Sequence, residues 1–417
     1  MRQVSSDFAP PLKLIAPFFR VGVWFFLFAS LSLLFFSANF SYEQMNIAGW
    51  LHMFMLGFVM MIIFGAMAQL VPVALETGHA IVDLYYVIFP LLLLGTIGMI
   101  IGFWFWLPLL PYGGLLVLSG MIIFASENLL TLKKTDHKNL TTDTVKWSNL
   151  YLLLGILTGF ALALGLAGSL SLNISMLLKA HIFMVIGGYV MLTIIGLSLI
   201  LIPMFSLAHG FKEDAVELAF KLVLYGVGTV FLGALIGIEF VMYIGYLLTI
   251  VGILFYLKQI YIIYKLTVRK ELDVWAKSML FAFSSLILSI ILAVLYFLSG
   301  NVGLLHGTIW FLLLGFVSFM ITGHLYKIVP FLVWFERFAP LVGKKKVPML
   351  HEMYSKTSAD FMFYFTAIGV VISGFGLIFM SDTLFKGGAS FIVFGSIFML
   401  QSMNKMLGFN EKDYNNV

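Results

Sequence analysis

Apolar residues along this chain do not alternate with polar ones. They run on unbroken and then stop at short polar stretches. Twelve such runs follow one another, over approximately 14–40, 46–73, 84–106, 108–131, 147–170, 177–205, 215–237, 240–264, 277–299, 303–333, 358–381 and 386–408. Each is long enough for the roughly 20 residues that cross a bilayer. The pattern predicts an all-α, polytopic integral membrane protein in which residues 1–417 form a single membrane domain, with the lipid bilayer as its first partner. The longest breaks, roughly 132–146 and 334–357, leave no room for an ATPase, kinase or DNA-binding module, and no phosphate-cradling Gly-rich loop is present.

Composition sharpens this picture. The chain is 62% hydrophobic and 10% charged, against roughly 25% charged in soluble domains. With no cysteine, disulfide frameworks, thiolate zinc sites, iron–sulfur clusters and cysteine nucleophiles are excluded. The net charge of +5 does not mark a nucleic-acid binder, because the lysines are scattered between apolar runs. The N-terminus and the breaks after even-numbered runs hold 22 of the 24 Lys and Arg residues, and the opposite face keeps only Lys179 and Lys386. Positive residues stay in the cytoplasm, so both termini are expected there, in a multi-pass protein of a bacterial-type inner membrane. No small-residue cleavage site precedes the first run, and no removable signal peptide is expected.

A repeat runs through the chain. Gly57-Phe58-Val59 precedes Gly65 and Pro72; Gly188-Tyr189-Val190 precedes Gly196 and Pro203; Gly315-Phe316-Val317 precedes Gly323 and Pro330. Each copy falls in the second helix of a four-helix block, so the twelve helices are read as three pseudo-symmetric four-helix units, approximately 14–131, 147–264 and 277–408. Singly, these glycines are explained by close helix packing. A histidine near the outer start of the same helix in every block, His52, His181 and His306, is not.

An ionisable side chain inside a membrane helix marks a candidate site. Counted back from the repeat proline, His52, His181 and His306 lie 20, 22 and 24 residues away. At about 100° per residue the first and last then differ by about 40°, with the middle one nearly opposite, provided that the helices are unbroken. His52 and His306 are thus the natural pair. Two neutral imidazoles in an apolar cavity lined by Trp50, Phe54, Phe58, Trp310 and Phe311 suit axial ligation of a haem iron, although Trp50 and Trp310 read first as interface-belt residues, because tryptophan prefers that depth. Copper or zinc on the three histidines is a weaker alternative. His324, one turn before Lys327, suits a proton relay, a second prosthetic group or a plain structural hydrogen bond. His79, His137, His209 and His351 fall in breaks and are expected to be solvated, and Glu239 reads as a loop residue.

Three four-helix arcs, an outer-side histidine in the second and tenth helices, and the segments Gly65 to Pro72 and Gly323 to Pro330 together resemble subunit I of the haem–copper oxidase superfamily. The resemblance implies a low-spin haem held by His52 and His306, with His181 a possible further metal ligand and Lys179 and Lys386 standing in for the arginines that hold haem propionates. It also shows departures. The family's copper centre takes a histidine from the sixth helix and a pair from the seventh to eighth region, and residues 211–305 contain no histidine; Val185 replaces a tyrosine. Haem b without copper is therefore expected, in a divergent relative that passes electrons or handles a diatomic gas such as nitric oxide, with no oxygen reduction. An electron-donor protein or quinol and partner subunits are the partners implied, and no nucleic acid. A transporter or haem/metal-handling permease, or a non-catalytic assembly factor, are the alternative functions.

Overall fold

The computed structural model describes residues 10–41, 44–135 and 138–415; His137 lies outside them. Among the described residues, twelve helices are long and apolar enough to cross a membrane: Leu12–Phe35, Met45–Pro72, Val82–Trp104, Leu107–Leu132, Leu140–Leu166, Ile174–Ser206, Asp214–Ile236, Glu239–Lys265, Val274–Ser299, Val302–Arg337, Lys356–Ile378 and Asp382–Gly408. They are numbered here as spans 1 to 12. The all-α, twelve-span class expected from the apolar runs is the one observed. Side chains fix several helix starts, Asn139, Asn173, Asp273 and Asn301 each accepting an amide N–H of the first turn. Span 1 is the main departure, ending at Phe35 instead of near residue 40. Its apolar run continues, but Phe36 is extended, and Asp382 ties down the turn beyond by accepting the Ser37 hydroxyl at 3.0 Å and the Ala38 amide at 2.6 Å.

Glycine sets how closely the spans approach. Spans 2, 6 and 10 each present two glycines, eight residues apart, to the span before them. A Cβ on Gly65 would meet Phe18 at 2.7 Å, one on Gly188 would meet Tyr151 at 2.6 Å, and one on Gly323 would meet Ser278 at 2.7 Å; Gly57, Gly196 and Gly315 face Phe25, Thr144 and Ser285 in the same way. The receiving residues are seven apart in every case. A second set lies on spans 3, 7 and 11, where Gly95, Gly226 and Gly369 press on the backbone at Gly113, Gly245 and Gly388 of the next span. Lipid gives helices no hydrophobic reason to associate, so backbone approach of this kind supplies the packing energy.

Spans 2, 6 and 10 also change pitch. Met53–Met60, Phe183–Met191 and Phe311–Val317 are wound as π-helix, with hydrogen bonds reaching one residue further than in an α-helix. These segments lie between each repeat histidine and its proline. The premise of unbroken helices therefore fails, and the 40° offset between His52 and His306 does not describe the chain.

The helices gather into two compact units, one formed by Met67–Lys270 and the other by Pro11–Ala66 with the chain from Glu271 onward. The first contains His79, Lys179 and His181; the second contains His52, His306, His324, Lys327 and Lys386.

Candidate functional site

In the second unit, spans 2 and 10 meet through their tryptophans. The Trp50 and Trp310 rings stack with centroids 6.4 Å apart and 15° between planes. Trp50 donates its indole N–H to the Ala29 carbonyl and Trp310 donates to that of Val370, each at 2.9 Å. At 7% and 5% exposed they are internal walls and not belt residues. They border a pocket whose other walls include Phe36, Phe40, Phe385 and His306, the remainder being Leu and Ile. His306 is the single titratable side chain on that lining and is 2% exposed. The Phe40 ring lies parallel to its imidazole, 4.3 Å away and tilted by 18°.

Of the five aromatic side chains expected on the lining, two, Trp50 and Trp310, are on it. Phe54 stacks on Trp50, Phe58 packs on Phe26 and Phe311 fills the space beside Gly374. Phe36, Phe40 and Phe385 take their places. The turn after span 1 and the start of span 12 supply them, and only the early end of span 1 brings the first two over the pocket.

His52 ends the α-helical part of span 2 and is half-buried. Its Nδ1 lies 2.8 Å from the Ala48 carbonyl oxygen. A carbonyl only accepts, so Nδ1 carries the proton and the Nε2 atom of the neutral ring holds the lone pair, the arrangement that metal-bound histidines use. His52 does not itself line the pocket; its neighbours Trp50 and Leu51 do.

His181 belongs to the first unit. Its Nδ1–H donates to the Gly155 carbonyl at 2.8 Å, and the bare backbone of Gly159 makes room for the ring, since a Cβ there would stand 2.6 Å from His181 Cε1. Lys179 pairs with Glu239 at 3.3 Å on the surface, and Glu239 is the first residue of span 8 and not a loop residue. Lys386 is exposed on span 12. His324 is buried and donates Nδ1–H to the Met320 carbonyl at 2.7 Å. Trp275 joins it to Lys327: the indole meets the His324 ring edge-on at 6.2 Å, and the Lys327 ammonium stands 5.9 Å above the same indole. Lys327 also pairs with Asp273 at 2.6 Å.

His209 and His351 are exposed, as expected. His79 is not: its side chain is 2% exposed and bonds to Glu127, itself 0% exposed, at 2.9 Å. The break that carries it folds back between spans 2 and 4, because a carboxylate inside span 4 needs a partner there. Among the described residues, no three of His, Asp and Glu gather to hold a metal ion.

No protein-family model and no curated protein matches the sequence. Among solved structures, the chain is similar to a haem–copper terminal oxidase dimer determined by cryo-EM, with a TM-score of 0.64 over 94% of this chain and 84% of that one, at 12% identity. Identity that low transfers no residue role, whereas the coverage extends to nearly every span. This twelve-span membrane chain therefore shares its fold with a haem–copper terminal oxidase.

Proposed function

We propose that this chain binds haem b and works in electron transfer or in handling a diatomic gas such as nitric oxide. His306 carries the proposal: an imidazole 2% exposed in a pocket with otherwise apolar walls, in a chain with an oxidase-like fold. The donor chemistry suits a porphyrin iron. Flat aromatic and aliphatic walls exclude water, no carboxylate lines the pocket, and one buried imidazole does. His52, whose Nδ1–H bond to Ala48 orients the ring, is the second ligand in this account. Bound haem would supply one-electron redox chemistry or an iron that binds gas. The chain's own part is to hold the imidazoles, wall off water through Trp50 and Trp310, and close the pocket with Phe40.

Dioxygen reduction is set aside because residues 211–305 offer no histidine for a copper centre. We further read the chain as three repeated four-helix units over 14–131, 147–264 and 277–408, which the recurring glycine contacts support, lying in an inner membrane with both termini cytoplasmic. Electrons would come from a donor protein or quinol. The test is to purify the chain from haem-replete cells and measure porphyrin and iron per chain. We expect stoichiometric amounts of both in the wild type and loss of both in His306→Ala. Equal porphyrin in the two proteins would remove His306 from the site.

A further inference from the structure

Residues 36–41, between spans 1 and 2, are neither helix nor strand, yet they alternate strictly. Ser37, Asn39 and Ser41 are exposed, Ala38 is buried, and Phe36 and Phe40 are half-buried on the lining of the His306 pocket. The segment is thus a strap across that pocket, whose other walls belong to spans 1, 2, 10, 11 and 12. Those helical walls keep their place by close packing: a Cβ on Gly307 of span 10 would meet Ile378 of span 11 at 2.6 Å, and one on Gly374 of span 11 would meet Phe311 Cζ at 2.6 Å. The anchor of the strap is a single oxygen. Asp382 Oδ1 accepts the Ser37 hydroxyl at 3.0 Å and the Ala38 amide at 2.6 Å, and the Asn39 amide donates in turn to the Ser37 hydroxyl at 3.2 Å.

At His306 the strap does what a span does for its own histidine. His52 and His324 each give Nδ1–H to the carbonyl four residues earlier in the same helix. His306 is held from outside its helix: the Phe40 ring lies parallel to the imidazole at 4.3 Å, and the Phe40 carbonyl faces it. The orientation of the imidazole therefore depends on a non-helical segment, and that segment depends on Asp382. A carboxylate at the first residue of span 12 already suits the helix N-terminus, and Lys386, one turn on, is in electrostatic range of it. Neither role calls for two donors from another segment on the same oxygen.

We propose that Asp382 is a positioning residue for the His306 pocket: through Ser37 and Ala38 it holds the strap so that Phe40 covers one face of the imidazole and fixes the ring. The proposal deepens the haem reading and rests on it only for what the pocket holds. The haem-free chain tests it, so either can fail without the other.

For the test, the full chain is purified from haem-depleted cells into lipid nanodiscs and treated with diethyl pyrocarbonate, which acylates neutral imidazoles. Mass spectrometry follows the modification of each histidine. His306 should react slowly in the wild type and about tenfold faster in Asp382→Ala, the scale of losing hydrogen bonds to a charged acceptor, with His181 and His351 unchanged. Phe40→Ala should give at least that increase alone, and Asp382→Ala should add little to it, because the carboxylate acts through that residue. Asp382→Asn keeps an acceptor oxygen without the charge and should stay close to the wild type. Should Asp382→Ala also speed His181, the fold has loosened, and Ser37→Ala then decides: it removes one of the two donors, leaves span 12 untouched and should give an intermediate increase. An unchanged His306 in the deciding variant, effects that multiply in the double variant, or Asp382→Asn as fast as Asp382→Ala overturns the proposal.

Discussion

A histidine in a membrane span is defined by where its Nδ1 proton goes. His52, His181 and His324 all give it to a backbone carbonyl, at 2.7–2.8 Å, which fixes ring rotation and tautomer together. For His181 the ring is also shaped from outside by Gly159. We expect Gly159→Ala to push the imidazole off Gly155 and to cost about 1–3 kcal/mol by overpacking. The same change should cost much less in a His181→Ala background, and unfolding of the four proteins in detergent would measure the difference. The three repeat histidines, His52, His181 and His306, were legible in the sequence because apolar runs make any ionisable group conspicuous. His79 was not legible, since its position in a polar break hid its burial. Glu127 was the available signal: a carboxylate within an apolar run must find a partner.

Helices here are matched through small residues. The repeat glycines of spans 2, 6 and 10 were visible as a spacing, but not what they touched, because the receiving residues have no common chemistry: Phe18, Thr144 and Ser278 share only their position. The glycines of spans 3, 7 and 11 were missed, having no proline at a recurring spacing to mark them. Adding a methyl at Gly323 should force span 10 off Ser278, and we expect Gly323→Ala to destabilise the chain by about 1–3 kcal/mol. Ser278→Gly should recover part of that loss, discounted by the roughly 1 kcal/mol that glycine costs inside a helix. Thermal unfolding of the single and double variants decides it, and additive losses would mean that the contact is not made. The π segments lay beyond the sequence argument, which counted residues at one pitch; the similarity of His52-Met53-Phe54-Met55 to His181-Ile182-Phe183-Met184 was their only trace.

At the scale of the whole molecule, the number of spans was legible because each run satisfies the length of a bilayer by itself. The two-unit division was not, since it depends on contacts between helices far apart in sequence. The proposed orientation rests on the placement of Lys and Arg, and the absence of cysteine from the sequence makes it simple to check. In spheroplasts, Lys345→Cys should react with an impermeant thiol reagent only after lysis, whereas Asn301→Cys should react in intact spheroplasts. The opposite pattern would invert the topology.

The central claim is that His306 and His52 hold a haem. Reduced-minus-oxidised visible spectra of the purified wild type, His52→Ala and His306→Ala test it most directly. We expect a b-type spectrum in the wild type that His306→Ala abolishes and that His52→Ala abolishes or converts to that of a five-coordinate haem. A colourless wild type from haem-replete cells, or an unchanged spectrum in both variants, would contradict the account.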